Sequence, residues 1–195
     1  TQKAISAPVG LAIVSVSADA QKAMDNRKTP IASFYANLQV FKGYAEKEYL
    51  PYTTSAGDVA ALDAALDNIL EEGIETVFAR HDRIASAVRG SAQAYGLELF
   101  LDSDRSNTVT AIRIPEEIGA LRLQDHLSEN YNLLVATSLA QYADVILRIG
   151  HMGENAFIDK LIYVLSIIDN GLRDLGFAGN GDLAQLFIDI YKENN

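Results

Sequence analysis

The chain has no cysteine and no tryptophan, four prolines in 195 residues, and fewer basic than acidic side chains. Without cysteine it can form neither a disulfide nor a thiolate metal site, and the composition suits a reducing compartment, with the cytoplasm as the default. Sixteen Lys and Arg against 26 Asp and Glu leave a formal charge of −10, the wrong sign for neutralising a phosphate backbone, so nucleic acid is excluded as an expected partner. No apolar run approaches the roughly 20 residues that span a bilayer, and no basic segment followed by an apolar stretch reads as a leader. A soluble protein without a membrane partner is the expectation. The 49% of hydrophobic residues beside 22% charged ones is an ordinary globular balance, enough to bury a core in one or two domains.

Leu11-Ala12-Ile13-Val14-Ser15-Val16 is an apolar run of strand length, entered through Pro8 and Gly10, and Ser17 is placed to cap a helix over 18–27. Thr29-Pro30 breaks that helix, 33–41 reads as a short irregular helix, and 49–55 as a hydroxyl-rich loop. From Asp58, apolar residues recur at helical spacing through Val59, Leu62, Leu66, Ile69 and Leu70, then through Ile74, Val77, Ile84 and Val88 after Gly73. Two helices, or one bent helix, ending at Gly96 follow from this. Beyond it, β-rich runs at 97–101, 108–114, 133–136 and 145–149 alternate with helical stretches at 116–130 and 155–175, which implies a small sheet with helices packed on one face. Gly176 and Gly179-Asn180-Gly181 stop the preceding helix and admit a last amphipathic helix over 182–192.

Three places offer chemistry. Lys3, in Thr1-Gln2-Lys3-Ala4-Ile5-Ser6-Ala7-Pro8-Val9-Gly10, carries an amine that can condense with an aldehyde where its surroundings favour the neutral form, although a lysine so placed is ordinarily just solvated. Arg148, in Val145-Ile146-Leu147-Arg148-Ile149-Gly150-His151-Met152-Gly153, can hold a carboxylate through two parallel hydrogen bonds; the bland alternative is a sheet-edge arginine paired with a surface acid. Tyr52, Thr53 and Thr54 stand on a loop before a helix, where hydroxyls can bind phosphate or simply cap a turn. His151, close to Arg148 in the chain, is an acid/base candidate. His81 and His126 are isolated from each other, and Asp63, Asp67, Glu71 and Glu72 lie along a solvated helix surface, so no metal site is expected. Phe34, Tyr35, Phe41, Tyr44 and Tyr49 read as core or interface packing.

Taken together, the Lys3 and Arg148 segments resemble the lysine and arginine regions of the class V aminotransferases, most closely the alanine–glyoxylate and serine–pyruvate type. The match in order and spacing covers Thr1-Gln2-Lys3, Pro8-Val9-Gly10-Leu11 and Arg148-Ile149-Gly150-His151-Met152-Gly153. The resemblance runs over nearly all of the chain and corresponds to about half of a two-domain family member. Val9 replaces the usual second proline, Thr54-Ser55-Ala56-Gly57 replaces proline and apolar residues, and the stretch 136–144 lacks the glycines usual there. That last departure bears on the substrate entrance and leaves the amino donor and acceptor open.

The resemblance implies the C-terminal part of a fold-type I enzyme that uses pyridoxal 5′-phosphate, of α/β class with an α+β C-terminal domain. It implies Lys3 as the catalytic and cofactor-binding residue, Thr53 and then Tyr52 as further cofactor contacts that reach the phosphate in the neighbouring subunit, and Arg148 as the substrate-carboxylate residue; because it gives the proton transfers to the lysine, it leaves His151 structural. A homodimer acting on a small amino acid and a keto acid such as glyoxylate or pyruvate follows, with 1–95 as remnant of the large domain and 96–195 as the small domain. The ring-nitrogen acid and the ring-stacking residue of the family precede the lysine, so none is assigned here. The chain alone is expected to be inactive. A non-enzymatic assembly or regulatory module built on the same half-fold is the other reading.

Overall fold

The computed structural model describes residues 1–193 and separates into two compact units, Thr1–Asp67 and Asn68–Asn195. In the first unit, helix α1 (Ala18–Asp25) starts where its cap predicts: the Ser17 hydroxyl accepts from Ala20 N–H at 3.2 Å. The expected helix over 33–41 shrinks to a 3-10 turn at Leu38–Phe41, started by the Asn37 carboxamide, which accepts from Gln39 N–H. Helix α2 (Ala56–Glu72) follows the hydroxyl-rich loop. The expected strand over 11–16 does not form. A strand needs a neighbour for its N–H and C=O groups, and no described residue of this unit is in a strand, so Ile13, Val14 and Val16 stand exposed in irregular chain.

The second unit holds the core. Gly73, with φ at 85°, separates α2 from α3 (Ile74–Tyr95), and Gly96, with φ at 103°, ends α3 by donating its N–H to the Ala92 and Gln93 carbonyls. Strands β1 (Glu98–Leu99), β2 (Val109–Arg113), β3 (Ala136–Thr137) and β4 (Ile146–Gly150) form one antiparallel sheet in the order β1-β2-β4-β3. Helices α4 (Ala120–Tyr131), α5 (Ile158–Asp174) and α6 (Leu183–Glu193) complete the unit.

The register decides which side chains meet the helices. Thr110 faces Ile149 and Ile112 faces both Leu147 and Leu99, and all five are buried. Because side chains alternate along a strand, this row forms the inner face. It packs with Ile84, Val88, Leu123, Leu127, Leu161, Leu165 and Phe187 from the helices into one core. The intervening residues Ala111 and Arg148, themselves paired, belong to the opposite face. Close approach of α4 and α5 rests on Gly171, where an added Cβ would fall 2.6 Å from Leu127 Cδ2.

Candidate active site

Lys3 opens a 3-10 turn, Lys3–Ile5, with its backbone in the left-handed region at φ 65°. For a non-glycine residue that conformation costs roughly 1–2 kcal/mol, so something must hold it. Ser6 N–H donates to the Lys3 carbonyl at 3.0 Å, Ala7 N–H to the Thr1 carbonyl at 3.3 Å, and the Thr1 hydroxyl to the Pro8 carbonyl at 2.8 Å. The loop is thereby closed on the buried Ala7, and the Lys3 side chain is left exposed.

Tyr52 is set by aromatic packing. Its ring stacks on Tyr35 at 4.9 Å between centroids and meets the edges of Phe41 at 5.4 Å and Phe34 at 6.3 Å. Such pairs contribute about 0.5–1.5 kcal/mol each beyond area burial. Thr53, next along the chain, is exposed, and Ser55 caps the start of α2 by accepting from Asp58 N–H. Lys3, Tyr52 and Thr53 thus belong to the first unit, whereas Arg148 belongs to the second.

Arg148 lies on β4, flanked by Ala111 of β2 on one side and Ala136 of β3 on the other. Two alanines leave the face around it uncrowded. Its own strand neighbours, Leu147 and Ile149, are buried, while Arg148 itself is exposed. Nε donates to the Thr137 carbonyl at 2.9 Å, the one hydrogen bond of this guanidinium among the described residues, so the terminal nitrogens remain to serve a carboxylate.

His151 turns the other way. Its ring is buried with the inner-face residues, Nε2 lies 2.7 Å from the Thr110 hydroxyl, and its backbone N–H donates to the Thr108 carbonyl. Nδ1 has no partner among the described residues. Burial holds its pKa down to about 4, so the ring is neutral at ordinary pH. It faces away from Arg148.

A group that the sequence did not reveal holds the segment after β4. Arg80, on α3, pairs with both carboxylate oxygens of Glu72 at 2.6 and 2.7 Å and donates through Nη1 to the carbonyls of Gly153 and Ala156 at 3.1 and 3.0 Å. Its guanidinium also lies 4.1 Å from the Phe157 ring centroid. The adjacent His81 is buried; its Nδ1 donates to the Val77 carbonyl at 2.7 Å, and Nε2 accepts from Gly153 N–H at 2.9 Å. Arg80 and Gly153 are 73 positions apart, and no local pattern signals such a contact. Among the described residues there is no cluster of His, Asp and Glu that could hold a metal ion, and no helix is long and apolar enough to cross a membrane.

No family model matches the chain. It is 39% identical over 179 residues to an uncharacterized aminotransferase of Methanocaldococcus jannaschii, covering 91% of this chain and 46% of that protein. It is 41% identical over 155 residues to the L-aspartate–glyoxylate aminotransferase of Paracoccus denitrificans, covering 78% and 39%. Among solved structures, the ureidoglycine–glyoxylate aminotransferase of Bacillus subtilis superimposes with a TM-score of 0.92 at 29% identity, covering 98% of this chain and 50% of that one. The chain spans about half the length of the curated relatives it matches.

Proposed function

We infer that this chain, a homologue of the glyoxylate-type aminotransferases spanning about half their length, is the part of such an enzyme that supplies the amine and the substrate-carboxylate arginine. The reaction moves an amino group between a small amino acid and a 2-keto acid, glyoxylate or pyruvate. Two of the relatives carry glyoxylate in their names, which favours it as acceptor. The observation that carries the reading is Arg148: a guanidinium exposed on a sheet face, steadied through Nε and flanked by alanines, in a chain homologous to enzymes whose substrates carry carboxylates.

The residues also suit pyridoxal 5′-phosphate. The Lys3 amine is exposed on a closed loop and can engage an aldehyde, and the exposed Thr53 hydroxyl, with Tyr52 beside it, can donate to a phosphate. When bound, that cofactor supplies the electron sink that lets the substrate's α-carbon release its proton. Lys3 Nζ is then the group that takes and returns that proton. Arg148 fixes the substrate carboxylate by paired bonds, so the α-carbon is presented in one orientation. The same reading makes the complete protein a cytoplasmic homodimer, with residues 1–95 in its large domain and 96–195 as its small domain, and the 195-residue chain inactive by itself.

The test is an assay of the complete protein with pyridoxal 5′-phosphate, glyoxylate or pyruvate, and serine, alanine or aspartate. Turnover of at least one pair is expected. Absence of turnover with every pair, by a folded protein, would overturn the reading.

A further inference from the structure

We infer that Met152 forms the wall that meets the substrate's side chain, and that Arg80 and His81 are positioning residues that hold it there. This rests on Arg148 binding the substrate carboxylate. Arg148 and Gly150 point to the same, exposed face of β4, because Leu147 and Ile149 between and beside them are buried on the other. Met152, half-buried and two residues beyond the strand, still has extended backbone, so it continues on that side.

Gly150 has no steric reason to be glycine. Its backbone is outside the left-handed region, and an added Cβ would meet nothing nearer than Met152 Cε at 3.8 Å. With no side chain at Gly150, the strand surface between Arg148 and the Met152 methyl group, which stands at contact distance from that Cβ position, is backbone alone. A 2-amino or 2-keto acid held by its carboxylate on Arg148 has room there for a short side chain, and a longer one meets the methionine.

Met152 is followed at once by the clamped residues. Gly153 is bound on both sides of its peptide group, its N–H by His81 Nε2 and its carbonyl by Arg80 Nη1, while Ala156 is held by the same Arg80 nitrogen. His151 before it is tied to Thr108 and Thr110. The wall is therefore fixed from both ends, although methionine itself is an adaptable side chain.

The experiment measures, by calorimetry on the complete protein, the Kd of lactate, 2-hydroxybutyrate and 2-hydroxyvalerate, which keep the carboxylate but have no amino group to transfer. In Met152→Ala the ratio of the 2-hydroxyvalerate Kd to the lactate Kd should fall about tenfold or more, the scale of one or two methylenes in an apolar pocket. Gly150→Ala should raise that ratio, and Met152→Leu, similar in volume, should leave it nearly unchanged. Arg80→Lys, which loses the paired geometry, should shift the ratio in the direction of Met152→Ala. Arg148→Lys should weaken all three acids alike. If Arg148→Lys weakens all three but neither Met152→Ala nor Gly150→Ala moves the ratio, the wall is overturned and the carboxylate reading stands. If Arg148→Lys weakens none, both fall.

Discussion

Arg148 and His151 are three positions apart and do opposite things. Arg148 is exposed, and its guanidinium makes one hydrogen bond among the described residues, so its remaining donors can serve a ligand. Charge-assisted bonds to a carboxylate contribute about 1.5–3 kcal/mol, so on the proposed function Arg148→Lys in the complete protein should raise KM for amino acid and keto acid roughly 10- to 150-fold while cofactor binding stays intact. An unchanged KM for both would make Arg148 structural. His151 is buried on the inner face, and desolvation lowers its pKa from 6.5 to about 4. An unfolded chain therefore takes up a proton between these values that the folded chain refuses, and stability rises with pH across the window. The contribution is fully present above pH 6.5 and is lost as pH falls toward about 4, on the order of 3 kcal/mol in all. Urea midpoints measured between pH 7 and pH 4.5 should fall steeply in the wild type, and His151→Asn should flatten that part of the slope.

Among the elements, the features legible in the sequence are those that depend on neighbours along the chain. Ser17 as a cap, Gly73 and Gly96 as interruptions, and the glycines before the last helix act on the backbone within a few residues, and each is where the spacing implies. The apolar run at 11–16 carries the same local signal as β4, yet only β4 has strands on both sides. Arg148 is legible in the sequence as a strand residue, but its alanine neighbours and the Arg80–His81 clamp come from pairings that no local pattern encodes. The docking of α6 is of the same long-range kind. Tyr95 of α3 donates to Asp169 of α5 at 2.6 Å, and the other Asp169 oxygen accepts from Leu183 N–H at 3.0 Å, at the first residue of α6. Burial works against the Asp169 charge, but the bonds from Tyr95, Arg173 and Leu183 together hold its pKa below the ordinary carboxylate value. Tyr95→Phe removes one donor from this buried carboxylate and should destabilise the protein by about 1–3 kcal/mol, measurable by chemical denaturation. A loss below 0.3 kcal/mol, roughly the noise of additive surface changes, would show that the bond is replaced by water.

For the molecule as a whole, the two units differ in how much they bury. In the first, Ala7 is the buried apolar residue among those described, while Val9, Ile13, Val14, Phe34, Tyr35, Tyr49 and Leu50 are exposed; the second encloses a continuous core. Local opening is easiest where few apolar contacts are buried, so limited proteolysis of the 195-residue chain should cut within 1–67 well before 68–195. Equal rates across the two units would contradict that difference. The proposed role of Lys3 as the amine of an aminotransferase has a more direct test than turnover. The complete protein is loaded with pyridoxal 5′-phosphate, reduced with borohydride and digested, and the pyridoxyl-bearing peptide is mapped by mass spectrometry. A single label on Lys3 is expected, lost in Lys3→Ala together with the visible absorption of the bound cofactor. A label on another lysine, or none on a folded and loaded protein, would contradict it.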